Sequence, residues 1–213
     1  MMLSVYVAMV AQLQVQSPAP TGTQFMVGGL AAQQTVQSHI DSSNDRLGGL
    51  LLGIEGAVVS DRITLRVRYG QGRISPKPGT SVAARDEVEG EALLGYRAVP
   101  WLTLWAGPSA RAYTTPDGDQ RWLIWTGRVS AHGTLVPGRL QSFIEVWGAV
   151  SGNVGNPPLK AGGRGSNGGL EVRLGDASPM WGRLSYRIES DHANGLRETV
   201  ESLTLSLIYG LPQ

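Results

Sequence analysis

The stretch WGRLSYRIES, residues 181–190, alternates at every position. Gly182, Leu184, Tyr186 and Ile188 fall on one side; Arg183, Ser185, Arg187 and Glu189 fall on the other. A period of two is the pattern of a half-buried β-strand. Alternation leaves open which side faces the interior. In a soluble barrel or sandwich the apolar side packs inward. In a membrane barrel it faces lipid, around a polar lumen.

The same pattern recurs along the chain. Expected strands run over 23–36, 47–58, 61–74, 87–98, 101–114, 121–135, 140–152, 167–175, 180–190 and 199–211. On 61–70, Ile63, Leu65, Val67 and Tyr69 oppose Arg62, Thr64, Arg66 and Arg68. On 87–98, Val88, Gly90, Ala92, Leu94 and Tyr96 oppose Glu87, Glu89, Glu91 and Arg97. On 140–150, Ile144, Val146, Gly148 and Val150 oppose Gln141, Phe143, Glu145 and Trp147. Leu170, Val172 and Leu174 oppose Glu171 and Arg173; Leu203, Leu205, Leu207 and Tyr209 oppose Ser202, Thr204 and Ser206.

The connections alternate too. Tight ones at 59–60, 99–100, 136–139 and 176–179 are interleaved with long ones at 37–46, 75–86, 115–120, 152–167 and 190–198. In an up-and-down meander this puts all tight turns at one end and all loops at the other. That asymmetry, with an even strand number and alternating segments of ~10 residues, is the pattern of a transmembrane barrel.

Composition agrees. Only two of the 18 basic residues are lysine, Lys77 and Lys160. Arginine suits paired, poorly solvated positions, because its planar fork binds carboxylates bidentately. Arg66 can meet Glu91, Arg68 can meet Glu89, and Arg111 can approach Glu89, since cross-strand neighbours sit ~5 Å apart. Arg183, Arg187 and Glu189 have Glu171 within reach. The expected lumen network is therefore Arg66, Arg68, Glu89, Glu91, Arg111, Arg128, Glu145, Glu171, Arg173, Arg183, Arg187 and Glu189. Tyr96, Trp101, Trp181 and Tyr209 fall at the tight-turn end, and Tyr69, Trp122 and Trp125 towards the loop end. Two rings of aromatics at the lipid–water boundaries make the girdles of a membrane barrel.

On these patterns the chain resembles the small outer-membrane β-barrel proteins of Gram-negative bacteria, over roughly residues 23–213. The resemblance is architectural and rests on no diagnostic motif. It implies an all-β, up-and-down antiparallel transmembrane β-barrel of about ten strands (eight being the alternative) in the bacterial outer membrane. Such proteins typically finish on an aromatic residue, whereas this chain ends LTLSLIYGLPQ, with Tyr209 four residues short. Residues 1–22, with an apolar run from Leu3 to Ala11 and small residues near Ala8 and Ala11, read as a signal peptide and short linker. No run reaches the ~20 apolar residues of a membrane-spanning helix.

Few motifs carry chemistry. A net charge of +1 offers no basic field for nucleic acid, and the absence of cysteine excludes disulfides and thiolate chemistry. GRGSNG (163–168) fits G-x-G-x-x-G, but a Pro-rich stretch precedes it and strand sequence follows, where a dinucleotide site needs a strand before and a helix after. Ser190, Asp191 and His192 are consecutive, and consecutive strand residues point apart, against a hydrolytic relay. Glu87, Glu89 and Glu91 share a face and could hold a hard cation, but nearby arginines favour ion pairing. His39, His132 and His192 lack metal-ligand spacing. No cofactor or metal is expected.

Three functions remain in view. The first is a monomeric outer-membrane barrel with a charged Arg/Glu lumen, having a structural or loop-mediated binding role or acting as a narrow conduit for small polar solutes. Its partners would be membrane lipid and either those solutes or an extracellular partner, met through loops 75–86 and 152–167. The second is a lipid- or peptide-hydrolysing barrel enzyme using His192 or His132. The third is a soluble periplasmic barrel with a hydrophobic ligand inside.

Overall fold

A computed structural model describes residues 22–40, 43–80, 82–115, 118–155, 159–175 and 179–211. Apart from Gly22, the expected signal segment lies outside the described residues. The long strands are β1 (Thr23–Ile40), β2 (Ser43–Ser60), β3 (Ile63–Pro76), β4 (Arg85–Val99), β5 (Leu102–Thr115), β6 (Gly118–Val136), β7 (Leu140–Val154), β9 (Gly162–Arg173), β10 (Met180–Ala193) and β11 (Leu196–Leu211). A two-residue piece, β8 (Leu159–Lys160), pairs with the end of β7. The long strands pair with their neighbours in chain order, all antiparallel, and β11 pairs with β1 to close the cylinder.

Closure fixes the shape. A line of directly paired residues starts at Phe25 and passes through Val58, Leu65, Leu94, Ala106, Gly127, Gly148, Arg164, Ser190 and Thr199. It returns to β1 at Gln37, twelve residues from where it began. A stagger of this size goes with strands tilted roughly 35–45° to the barrel axis. Two bulges interrupt β6–β7, one between Trp125 and Thr126, where Val150 is thrown outward and left 78% exposed.

The apolar faces point outward. Leu50, Leu52, Ile54, Leu65, Val67, Leu94, Leu104, Val129, Ile144, Val146, Leu184, Tyr186, Leu203, Leu205 and Leu207 are all exposed. The opposite parity carries the charged residues and is largely buried. A continuous exterior band of aliphatic side chains on a closed cylinder is the exterior of a barrel that sits in lipid, whose band stands roughly 25 Å tall. It rules out the soluble barrel that packs a hydrophobic ligand against its apolar face.

The strands are longer than the sequence suggests at the loop end. The segments 37–46, 115–120 and 190–198, expected as loops, are mostly strand. β1 and β2 run on to Ile40 and Ser43, and β5 and β6 to Thr115 and Gly118. β10 and β11 close around Asn194 and Gly195, both in left-handed conformation (φ 41° and 86°), as a two-residue hairpin requires. The expected loop 152–167 likewise contains the end of β7, β8 and half of β9. Polar composition there marks departure from lipid, not the end of the strand.

At this same end the barrel's polarity reverses. Val36, Leu47, Leu51, Ile74, Tyr113, Trp122, Ile124, Val154, Ala193 and Val200 point inward and form a buried apolar cluster. The outward positions beside them are Gln37, Arg46, Arg73, Asp86, Arg121, Ser190 and Arg197. Lipid-facing positions are apolar outside; these extensions are polar outside, and inside them apolar side chains are interleaved with Glu87, Arg111, Asp191 and Glu198. Trp122 belongs to this cluster, 2% exposed, which corrects its expected place in the outer girdle. Trp181 is corrected likewise: it shares the parity of Arg183, opposite Arg173 at the tight-turn rim. Tyr96, Trp101 and Tyr209 face outward at the tight-turn end, and Tyr69 and Trp125 face outward nearer the loops.

Candidate functional site

The lumen holds a column of ion pairs, and the strands' strict alternation is what places it there. Nearest the tight turns, Arg183 on β10 gives Nε to Glu171 at 2.7 Å and Nη1 to Glu55 across the barrel at 2.9 Å. Its guanidinium lies 5.6 Å from the ring centroid of Phe143.

The next layer is a four-membered knot. Arg66 reaches Glu145 at 3.1 Å and Glu91 at 3.5 Å; Arg128 reaches Glu91 at 2.9 Å and Glu145 at 3.1 Å. Each arginine also lies over an indole, Arg66 at 4.6 Å from Trp105 and Arg128 at 4.9 Å from Trp147. The indoles lie flat because the residue directly opposite each is glycine: Gly95 beneath Trp105 and Gly165 beneath Trp147. A Cβ at either glycine would collide with the ring. Trp105 also donates Nε1–H to Ser130 Oγ at 2.8 Å. Planar guanidinium, planar indole and bare backbone thus stack in order from the axis to the wall.

Above the knot, Glu89 takes Arg68 at 3.2 Å and Arg187 at 2.6 Å. At the loop end, Arg111 faces four carboxylates: Glu87 at 3.5 Å, and Glu189, Asp191 and Glu198 at 3.3 Å each. Tyr113 donates its hydroxyl to Glu198 at 2.7 Å, and Gln34 donates Nε2 to Glu87 Oε1. Among the described residues, Glu87 Oε2 and Gln34 Oε1 are buried without a hydrogen-bond partner.

Of the charged residues expected inside, Arg66, Arg68, Glu89, Glu91, Arg111, Arg128, Glu145, Glu171, Arg183, Arg187 and Glu189 join this column. Arg173 has the inward parity but stands at the last position of β9. The expected pairs Arg66–Glu91, Arg68–Glu89 and Arg183–Glu171 form. Arg111 stands opposite Glu89 in register, yet its guanidinium turns towards the loop end. Sequence reasoning missed Glu55, Asp191, Glu198 and Tyr113. Parity alone could have found Asp191, which continues the series Arg183, Arg187, Glu189; its reading as a loop residue hid it.

Among the described residues, the space beside the column is small. Around Arg66, Arg128, Arg183, His132, Phe143 and Glu171 about 50 Å³ is open to water. Since a water needs roughly 10–15 Å³ by this measure, a few molecules fit and a sugar does not. His132 has inward parity and is exposed, so this space widens towards the tight-turn mouth. At the other end, Asp191 points inward while Ser190 and His192 lie on the outer parity. The three cannot converge as a catalytic relay.

No protein-family model matches the sequence, and no curated protein matches it. Solved structures do resemble the fold. The outer-membrane protease OmpT from Escherichia coli superposes with a TM-score of 0.57 at 9% identity, over 94% of this chain and all of that one (100%). An outer-membrane channel from Pseudomonas putida F1 superposes with a TM-score of 0.52 at 11% identity, over 93% of this chain and 98% of that one. At such identities the likeness is one of fold. A closed, staggered, antiparallel cylinder with lipid-facing aliphatics and paired charges inside is the fold of the Gram-negative outer-membrane β-barrels.

Proposed function

We propose that this protein resides in the outer membrane as a monomeric barrel, closed to organic solutes, whose rigid cylinder presents the loop-side rim to partners outside the cell. The observation that carries this reading is the reversal of polarity along the strands. The ion-pair column occupies the lumen through the lipid band, and at the loop end its Arg111 group is packed among the apolar cluster of Leu51, Tyr113, Trp122 and Val200. A solute would have to part both. Among the described residues, the ten long strands close on one another, so none of them presents a full edge to a second subunit.

The conduit reading has less support. Beneath the cluster the space admits water from the tight-turn mouth, as a vestibule rather than a passage. The hydrolase reading, which a protease of this fold brings to mind, lacks a converged nucleophile, base and acid at Ser190–His192.

Planar bilayers test the proposal. The folded protein is expected to give no stable conductance steps in potassium chloride, and its proteoliposomes should not swell in isotonic arabinose. Steady single-channel steps from the wild-type chain would overturn closure. Recovery of the native protein in a detergent-free soluble fraction would overturn the membrane location.

A further inference from the structure

The outer wall of the loop-side rim is charged unevenly. On the half built by β3 to β6, the outward arginines have carboxylates: Arg73 Nη1 lies 3.8 Å from Asp86, and Arg121 Nη2 lies 3.1 Å from Asp119. On the other half the outward basic residues of the long strands are Arg164 on β9, His192 on β10, Arg197 on β11, His39 on β1 and Arg46 on β2. Among the described residues, no carboxylate lies within ion-pair distance of Arg164, Arg197 or Arg46.

Register makes these five a continuous arc. His192 stands directly opposite Arg197, and Arg197 directly opposite His39. Arg46 is paired with Gln37, two residues from His39, and Arg164 with Ser190, two residues from His192. Directly opposed side chains start ~5 Å apart and diagonal ones remain within reach of an arginine. Gly162, opposite His192, has no side chain, and the imidazole lies over it. Among the described residues, the nearest outward acid, Glu201, is four residues further down β11 and is held by the Tyr186 hydroxyl. The arc begins where the apolar band stops: Ile188 is exposed and outward, and Ser190, the next outward residue, faces Arg164.

We infer that this arc binds the phosphate groups of lipid headgroups in the leaflet on the loop side. The inference rests on the membrane placement proposed above. Guanidinium forks suit phosphate oxygens in bidentate geometry. Unpaired cations at the edge of a lipid-facing band meet headgroups before anything else. The paired half of the rim supplies its own anions and has no such need.

The full chain, folded in detergent micelles, is titrated with phosphatidic acid, with phosphatidylcholine of the same acyl chains, and with inorganic phosphate. Native mass spectrometry counts the lipid retained. Wild type is expected to retain phosphatidic acid in preference to phosphatidylcholine, with inorganic phosphate a poor competitor. Arg164→Ala with Arg197→Ala should weaken retention roughly tenfold or more, and Arg73→Ala with Arg121→Ala should leave it unchanged. All four positions are exposed on the outer wall, and heat-modifiable gel migration verifies folding of each variant. Equal retention by wild type and the Arg164/Arg197 variant would overturn the inference, as would equal losses in both variants or equal binding of phosphatidylcholine. Displacement by inorganic phosphate at matching concentration would assign the arc to free phosphate and overturn the lipid. Flotation with vesicles is read separately: a folded chain that never floats overturns the membrane placement, and this inference with it.

Discussion

Arg111 is the residue on which the loop end of the lumen turns. The residue is 5% exposed, and its guanidinium stands within ion-pair distance of four carboxylates. Removing one partner from a buried charge cluster costs about 3–5 kcal/mol, because the others are left uncompensated. Arg111→Leu is therefore expected to destabilise the barrel by about that amount in urea unfolding followed by tryptophan fluorescence. Glu87→Gln should do the reverse. It deletes one of the surplus negative charges and keeps an acceptor for Gln34, while its new amide can donate to the unpartnered Gln34 Oε1. A neutral effect or a gain of about 1 kcal/mol is expected. A loss as large as that of Arg111→Leu would show that the carboxylate surplus is not what strains this cluster.

A strand here is one continuous period-two element that crosses two solvents. Leu205 on β11 faces outward in mid-band, 62% exposed, between Leu184 and Ala31. Leu205→Arg should destabilise the barrel folded in lipid vesicles by about 2–4 kcal/mol, whereas Gln37→Arg, outward on β1 among the polar positions at the loop end, should cost about 0–1 kcal/mol. Equal costs at the two positions would contradict the placement of the band. This continuity also explains what was legible in the sequence. The alternation of WGRLSYRIES, the Arg/Glu composition of one face and the tight turns sufficed for the cylinder, its lumen face and three of its ion pairs. The strand extensions were not legible, because outside lipid the apolar residues move to the inner parity while the outer parity becomes polar. QSHIDSSNDR and SDHANGLRE therefore resemble loops by composition. Trp122 was misplaced for the same reason. Aromatic character suggests a girdle, but its parity and height put it inside the apolar cluster. Glu55 escaped notice because it is the lone acid of the glycine- and leucine-rich segment 47–58, and its partner Arg183 comes from across the barrel.

Taken whole, the molecule is a cylinder with its lumen filled in two different ways. Opening it requires removing both the apolar cluster and a layer of the column. Tyr113→Ala with Trp122→Ala empties the cluster's largest side chains but leaves Arg111 and the knot in place, so little conductance is expected. Adding Arg66→Ala and Arg128→Ala, which removes the knot's cations along with their cover, should produce steady conductance steps. Conductance from the first pair alone would mean that the ion-pair column is already permeable.

The reversal of polarity has a consequence for how the molecule comes apart. The lipid band owes its stability to insertion in a bilayer, while the loop-side extension owes its stability to exclusion of water from Leu51, Tyr113, Trp122 and Val200. Urea weakens the second and has little access to the first. The chain therefore contains two melting units joined end to end through every strand, not side by side as domains are. In vesicles under mild urea, amide hydrogens of residues 36–40, 43–47 and 190–200 should exchange well before those of residues 203–207. Each strand then frays from one end only, and the cylinder shortens before it opens.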